Sequence, residues 1–145
     1  MQLKLPQCPT CIVGAVARVS FGLSLLFVGL VHYMAFESFS GMVSEDLGAL
    51  TMLGVLWAYV LPALMIIGGS LLVLGMFMDI ALWASSVAIA SIPAGMLFKS
   101  VLSGLPLSET MQPAIDAFIW LIVLMICTKL MSCCCAAGCC ESEKK

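Results

Sequence analysis

The chain has 145 residues, 63% of them hydrophobic, with six Lys or Arg, eight Asp or Glu and a formal charge of −2. A water-soluble fold of this length needs a polar shell that so few charged side chains cannot supply, so the composition excludes a soluble globule. With no basic patch and a slightly negative total, nucleic-acid binding is excluded as well.

In chain order, residues 1–11 form a short segment that carries Cys8-Pro-Thr-Cys11. A bilayer core of about 30 Å takes roughly 20 apolar helical residues. The first run that satisfies this extends from Ile12 to Phe36. It is about twice as long as a signal-peptide core of 7–15 residues and no A-x-A site follows it, so it is predicted to be retained. The second run extends from Ala49 to Met78, the third from Ile80 to Val101 and the fourth from Pro113 to Met131. Period-2 alternation is absent, which argues against a strand barrel. The predicted fold is all-α: an integral membrane, antiparallel four-helix bundle over residues 12–132, followed by a Cys-rich tail over 133–145. One domain is expected, because no connection is long enough to separate two.

The connections carry their own signals. Ser44 ahead of Glu45 and Asp46 reads as a helix start, with a capping hydroxyl and two carboxylates at the positive end of the dipole. A short interfacial helix from there, breaking near Gly48 or Gly54, is predicted. Spans two and three meet around Asp79 in a tight hairpin. Residues 103–110 form a loop, and Pro113 suits the first turn of span four.

Four crossings place both ends on one side. Lys4, Arg18, Lys129, Lys144 and Lys145 fall on that side and Lys99 alone on the other. The positive-inside rule therefore predicts cytoplasmic termini in a multi-pass inner membrane of bacterial or archaeal type. Arg18 lies within the first span and has two readings: a side chain that snorkels to the interface, or a buried functional charge.

Between helices in lipid, close packing of small residues replaces hydrophobic attraction. Ala81, Ala84, Ala88, Ser91 and Gly95 recur at spacings that make one stripe on span three. Gly22 with Gly29, and Gly68 with Gly75, form seven-spaced pairs on spans one and two. Pro62 and Pro93 are expected to bend their helices. Either the bundle packs tightly around two kinks, or the kinks open a ligand cavity at mid-membrane.

Span one reads Arg18-Val-Ser-Phe-Gly22-Leu-Ser-Leu-Leu-Phe-Val-Gly29, and span two ends Gly68-Gly69-Ser70-Leu71-Leu72-Val73-Leu74-Gly75 before its turn. In both features the chain resembles the DoxX-like family of small four-span membrane proteins, over roughly Arg18 to Lys99. Members of that family often have an acidic residue shortly before the paired glycines, whereas Ala63 to Ile67 contain none. The resemblance implies a membrane-embedded subunit or partner in a redox or assembly complex. The family includes a quinone-reducing thiosulfate oxidoreductase subunit and partners of soluble sulfur and superoxide enzymes. It implies no enzyme acting on its own.

Eight cysteines carry a separate signal. Cys8 and Cys11 precede span one, while Cys133, Cys134, Cys135, Cys139 and Cys140 follow span four. A structural disulfide framework is not expected in a reducing compartment. Cys8, Cys11, Cys135 and Cys139 have spacings compatible with a four-thiolate site for zinc or another soft metal such as Cu(I) or Hg(II). On that reading the protein binds or transports a soft metal, and its clusters distantly resemble those of small mercury-transport membrane proteins. Two other readings stay open: a redox dithiol at Cys8 and Cys11, and lipidated or inert juxtamembrane thiols. Cys127, inside span four, reads as a small packing residue.

A single histidine rules out bis-His haem within one chain. His32, Tyr33, Trp57 and Tyr59, with Glu37 and Trp120, are predicted at similar depth on the outer side. They could hold a quinone head-group, or form an ordinary aromatic belt. Asp116 is expected in the first turn of span four, in a structural role. A third functional reading makes the chain a structural subunit that forms homo-oligomers through the Ala84, Ala88, Ser91 and Gly95 face. The expected partners are the bilayer, a second copy, or a membrane or soluble redox protein.

Overall fold

The computed structural model describes residues 9–44, 48–104 and 106–136. Among them the secondary structure is helical: α1 (Pro9–Met34), α2 (Phe36–Ser44), a 3-10 turn (Gly48–Leu50), α3 (Thr51–Leu74), α4 (Met78–Ser103) and α5 (Leu107–Ala136). The helices α1, α3, α4 and α5 are each long and apolar enough to cross a bilayer. Their outward faces are apolar too, with Trp83 at 74% exposure and Val101 at 81%. Such a surface has lipid as its solvent.

The four long helices run up-down-up-down in a ring, α1 against α3, α3 against α4, α4 against α5, and α5 back against α1. Pro9 and Ala136 thus lie at one end of the bundle, the terminal end, together with the α3–α4 turn. The α4–α5 connection and α2 lie at the other, the loop end.

The terminal half is tightly packed because small residues meet there. Gly22 of α1 faces the Gly69 carbonyl and Leu72 of α3, and Gly29 faces Met65, Ile66 and the Pro62 carbonyl. On its other side α3 presents Gly68 to Ser85 and Ala81 of α4. Ala81, Ser85 and Ala88 are fully buried in that contact. The expected pairing of Gly68 with Gly75 as one groove is replaced by a division of labour. Gly68 serves α4, its neighbour Gly69 serves α1, and Gly75 ends the helix.

That ending has a clear cause. Gly75 adopts φ +70°, donates its N–H to the Leu71 carbonyl and so closes α3 with a left-handed residue. Phe77, also left-handed at φ 48°, starts α4, and Asp79 sits in its first turn, where a carboxylate faces the dipole favourably. The tight hairpin expected around Asp79 is thus formed by residues 75–77.

Elsewhere the structure corrects the sequence reading. Ser44 does not open a helix; it is the last residue of α2, and its hydroxyl donates to the Ser40 carbonyl at 2.6 Å. Glu45 and Asp46 lie outside the described residues. The helix before them, α2, is nearly a continuation of α1: Ala35 N–H donates to Val31 and Phe39 N–H to Ala35, both at 3.0 Å. Helix α5 begins at Leu107, so Pro113 lies inside it and not in its first turn. Asp116 lies about 2.5 turns from its start.

Candidate functional site

Packing is uneven along the bundle. Around Arg18, Leu72, Leu82 and Cys127 near the terminal end the internal void is only about 10 Å³. Around the outer half of α4 there are cavities of about 450, 220 and 200 Å³. The smallest of these three lies beside Pro93, against Phe118 and Leu121 of α5. Of the two helix-interior prolines, Pro93 thus borders a cavity, whereas Pro62 is fully buried in the core.

The largest of these three cavities is a slot between α2, α3 and α4. Phe39 and Met42 form its α2 wall, Leu53, Gly54 and Trp57 its α3 wall, and Gly95 and Lys99 part of its α4 wall. Sequence explains the void. Gly95 has nothing within 4 Å of the position a Cβ would take, so α4 leaves space where a larger residue would fill it. Helix α2 packs along α3, and its end reaches α4. There Lys99 donates from Nζ to the Met42 carbonyl at 2.6 Å, tying the end of α2 to the far wall. At about 450 Å³ the slot falls within the range of small-molecule sites. Of the small-residue stripe expected to pack against another helix, Ala81 and Ala88 are buried, whereas Ser91 and Gly95 line the slot.

The four residues expected around a quinone head-group fall into three places. Trp57 lines the slot. His32 lies behind its α2 wall, with its ring edge-on to Phe39 at 4.3 Å. His32 Nδ1 is 2.6 Å from the Val28 carbonyl, which can only accept, so Nδ1 carries the proton. Tyr33 and Tyr59 join elsewhere: the Tyr33 hydroxyl donates to the Tyr59 carbonyl at 2.8 Å, and Phe36 packs on the Tyr59 ring at 4.2 Å. Trp57 and Tyr59 are two residues apart on one helix, which turns them roughly 200° from each other. Trp120 is not at their depth. Its ring meets Phe21 at 5.4 Å, about 16 Å along α1 from His32.

The 220 Å³ cavity opens the seam between α1 and α5 and is lined by Ser24, Val28, Asp116 and Trp120. Asp116 accepts from Gln112 Nε2 at 3.2 Å, one helical turn away. The Ser24 hydroxyl donates to its own helix at Ser20, at 2.9 Å.

At the terminal end, Arg18 reaches the end of α3. Its guanidinium nitrogens lie 2.8 and 3.0 Å from where a Gly75 Cβ would be. A cation there complements the negative end of the α3 dipole. Its Nε is enclosed without a hydrogen-bond partner. The α1–α5 register is fixed by Gly14, whose Cβ position is 3.7 Å from Leu130 Cβ. Running antiparallel from that contact, Cys11 comes level with the backbone of residues 133–134 in the last turns of α5. Of the four proposed thiolate ligands, Cys11 is half-buried, Cys135 lies in the final helical turn, and Cys8 and Cys139 fall outside the described residues. Cys127 is buried in the core at 6% exposure.

Lys99, Gly54, Phe39 and Met42 were not singled out by sequence as ligand-facing. Lys99 alone carried a usable signal, as the only basic residue assigned to its side. No family model, curated protein or solved structure matches this chain.

Proposed function

We propose that this chain is a membrane-embedded, DoxX-like subunit that holds a lipophilic molecule for a partner protein and performs no chemistry alone. The observation that supports this reading is the slot of about 450 Å³ between α2, α3 and α4, apolar along its length and with a cation at one end. Such a space suits a molecule that partitions into the bilayer and is presented at its surface. A quinone head-group held jointly by His32, Tyr33, Trp57 and Tyr59 is not adopted, since only Trp57 reaches the slot.

Gly95→Leu tests the reading, because a Cβ at that position meets nothing within 4 Å and the rest of the leucine would take up slot volume. Protein purified in mild detergent is extracted with organic solvent, and bound lipophiles are quantified by mass spectrometry. Wild type should carry a retained lipophile that Gly95→Leu lacks. Equal recovery from both would refute the proposal.

The register of α1 and α5 supports a second reading, soft-metal handling by the terminal cysteines, because it brings the two cysteine-bearing segments to the same height. Zinc and copper content of the full chain, with and without Cys11→Ser, tests it. A metal-free wild type, or unchanged content in the variant, would remove it.

A further inference from the structure

We propose that the cavity in the seam between α1 and α5 binds a compact organic ammonium, held by the Asp116 carboxylate with the Trp120 ring beside it. This site is separate from the slot and does not rest on the reading of the slot as a ligand site.

Asp116 lacks the role that its sequence position suggests. A carboxylate gains from the helix dipole only within the first turn, and Asp116 lies about 2.5 turns from the start of α5. It sits about 9 Å along the helix from Thr110, where the apolar span begins. A carboxylate within a span is costly unless a cation or a polar cavity meets it. Among the described residues Asp116 makes no ion pair. Its Oδ1 accepts from Gln112 Nε2 at 3.2 Å, and its Oδ2 has no partner.

The side chain borders a space that can hold the missing charge. Counted from the Gly14–Leu130 contact, Val28 of α1 comes level with Asp116, and Ser24 with Trp120. These four residues line a cavity of about 220 Å³ that reaches the buried Met65 and Ile89. Asp116 and Trp120 are one helical turn apart, so carboxylate and indole share a face of α5. The Ser24 hydroxyl donates to the Ser20 carbonyl at 2.9 Å, which leaves its oxygen as an acceptor.

This inventory selects a cation that carries N–H donors. Carboxylate and hydroxyl oxygens accept from it, and an aromatic ring stabilises a desolvated positive charge. An anion would meet the charge of Asp116, and a quinone would find only the indole N–H as a side-chain donor. A metal ion would need about six oxygens, more than Asp116 and Ser24 supply. The remaining walls are apolar and suit the carbon frame of an organic cation. The volume is below the range of drug-sized sites, about 300–1,000 Å³, so the group is compact.

The test uses Trp120 as reporter in a full-length Trp57→Phe, Trp83→Phe background, reconstituted in phosphatidylcholine nanodiscs. Three ring nitroxides of one size, bearing an ammonium, a neutral acetamide or a carboxylate, are titrated as quenchers. The ammonium should quench at concentrations about tenfold or more below the other two, as a charge-assisted hydrogen bond implies. Asp116→Asn keeps an acceptor for Gln112 and removes the charge, so it should erase that preference. Asp116→Glu should retain it. Asp79→Asn, at the other end of the bundle, should leave it unchanged. Repeating the titration with phosphatidylethanolamine in the disc separates two sources of the ammonium: weaker quenching assigns the site to an aminolipid head-group, equal quenching to a free amine. Equal quenching by ammonium and acetamide, a preference that survives Asp116→Asn, or an equal loss in Asp79→Asn would overturn the proposal.

Discussion

Gly69 is the position where the smallest addition should do the most damage. A methyl group there would lie 2.6 Å from the Gly22 carbonyl oxygen, 2.8 Å from the Leu26 nitrogen and 3.2 Å from the Leu26 Cα. All three atoms belong to the backbone of α1, so no side-chain rotation relieves the clash. Ordinary contact begins near 3.4 Å, and α1 must therefore retreat from α3 by about 0.8 Å. A gap of that size forfeits a quarter to a half of each contact, at about 0.1–0.2 kcal/mol per atom pair. Over on the order of 30 pairs along the two helices the loss is about 1–3 kcal/mol, which agrees with measured costs of overpacking. Lipid solvates the parted faces but does not drive them back together. The assay is reversible unfolding of Gly69→Ala in mixed micelles by titration with a denaturing detergent. Gly95→Ala is the control, because open space surrounds that position. It should stay within about 0.5 kcal/mol of wild type. Wild-type stability in Gly69→Ala, or equal losses at both sites, would refute the reasoning.

Other outcomes follow from the same geometry. Gly75→Ala should lower stability by about 1–2 kcal/mol from the left-handed backbone, and by more from displacing Arg18; a melt equal to wild type would contradict the assigned turn. Ser85→Ala should leave stability unchanged or raise it by about 1 kcal/mol, since the enclosed hydroxyl has no hydrogen-bond partner; a clear loss in the same titration would contradict that. A membrane-impermeant maleimide should reach cysteines introduced at Val13 and at Lys129 from the same side of the bilayer, the cytoplasmic one by the charge bias. Labelling from opposite sides would break the bundle topology.

The four spans could be read from the sequence because their signal is long and cumulative: apolar runs of span length dominate any local exception. Their ends could not. The polar residues Ser108, Gln112 and their neighbours sit in the first turns of α5, where hydropathy sees a loop and the backbone is already helical. Ser44 with Glu45 and Asp46 has the composition of a helix start, yet the chain arrives there from a helix, and composition carries no direction. The glycines were recognised as contact points, but partner choice was not readable. Gly68 and Gly69 differ by about 100° around the helix and so serve different neighbours. The slot was the least legible feature. Its walls are ordinary apolar residues from three helices, and it lies where volume is missing at Gly95 and the end of α2 is tied to Lys99. Grouping the aromatics by depth failed where rotation about the helix mattered, as with Trp57 and Tyr59.

The contrast between a filled half and a hollow half sorts the motions of the bundle. Where glycine and alanine let backbones touch, every opening breaks many contacts at once, and amide hydrogens there should exchange with solvent only on global unfolding. Where voids surround α4, the walls can breathe while the rest of the molecule holds its shape. On the proposed reading, a guest would be loaded and released sideways through the membrane without the scaffold coming apart, much as a clothes peg opens at its jaws while its spring stays wound.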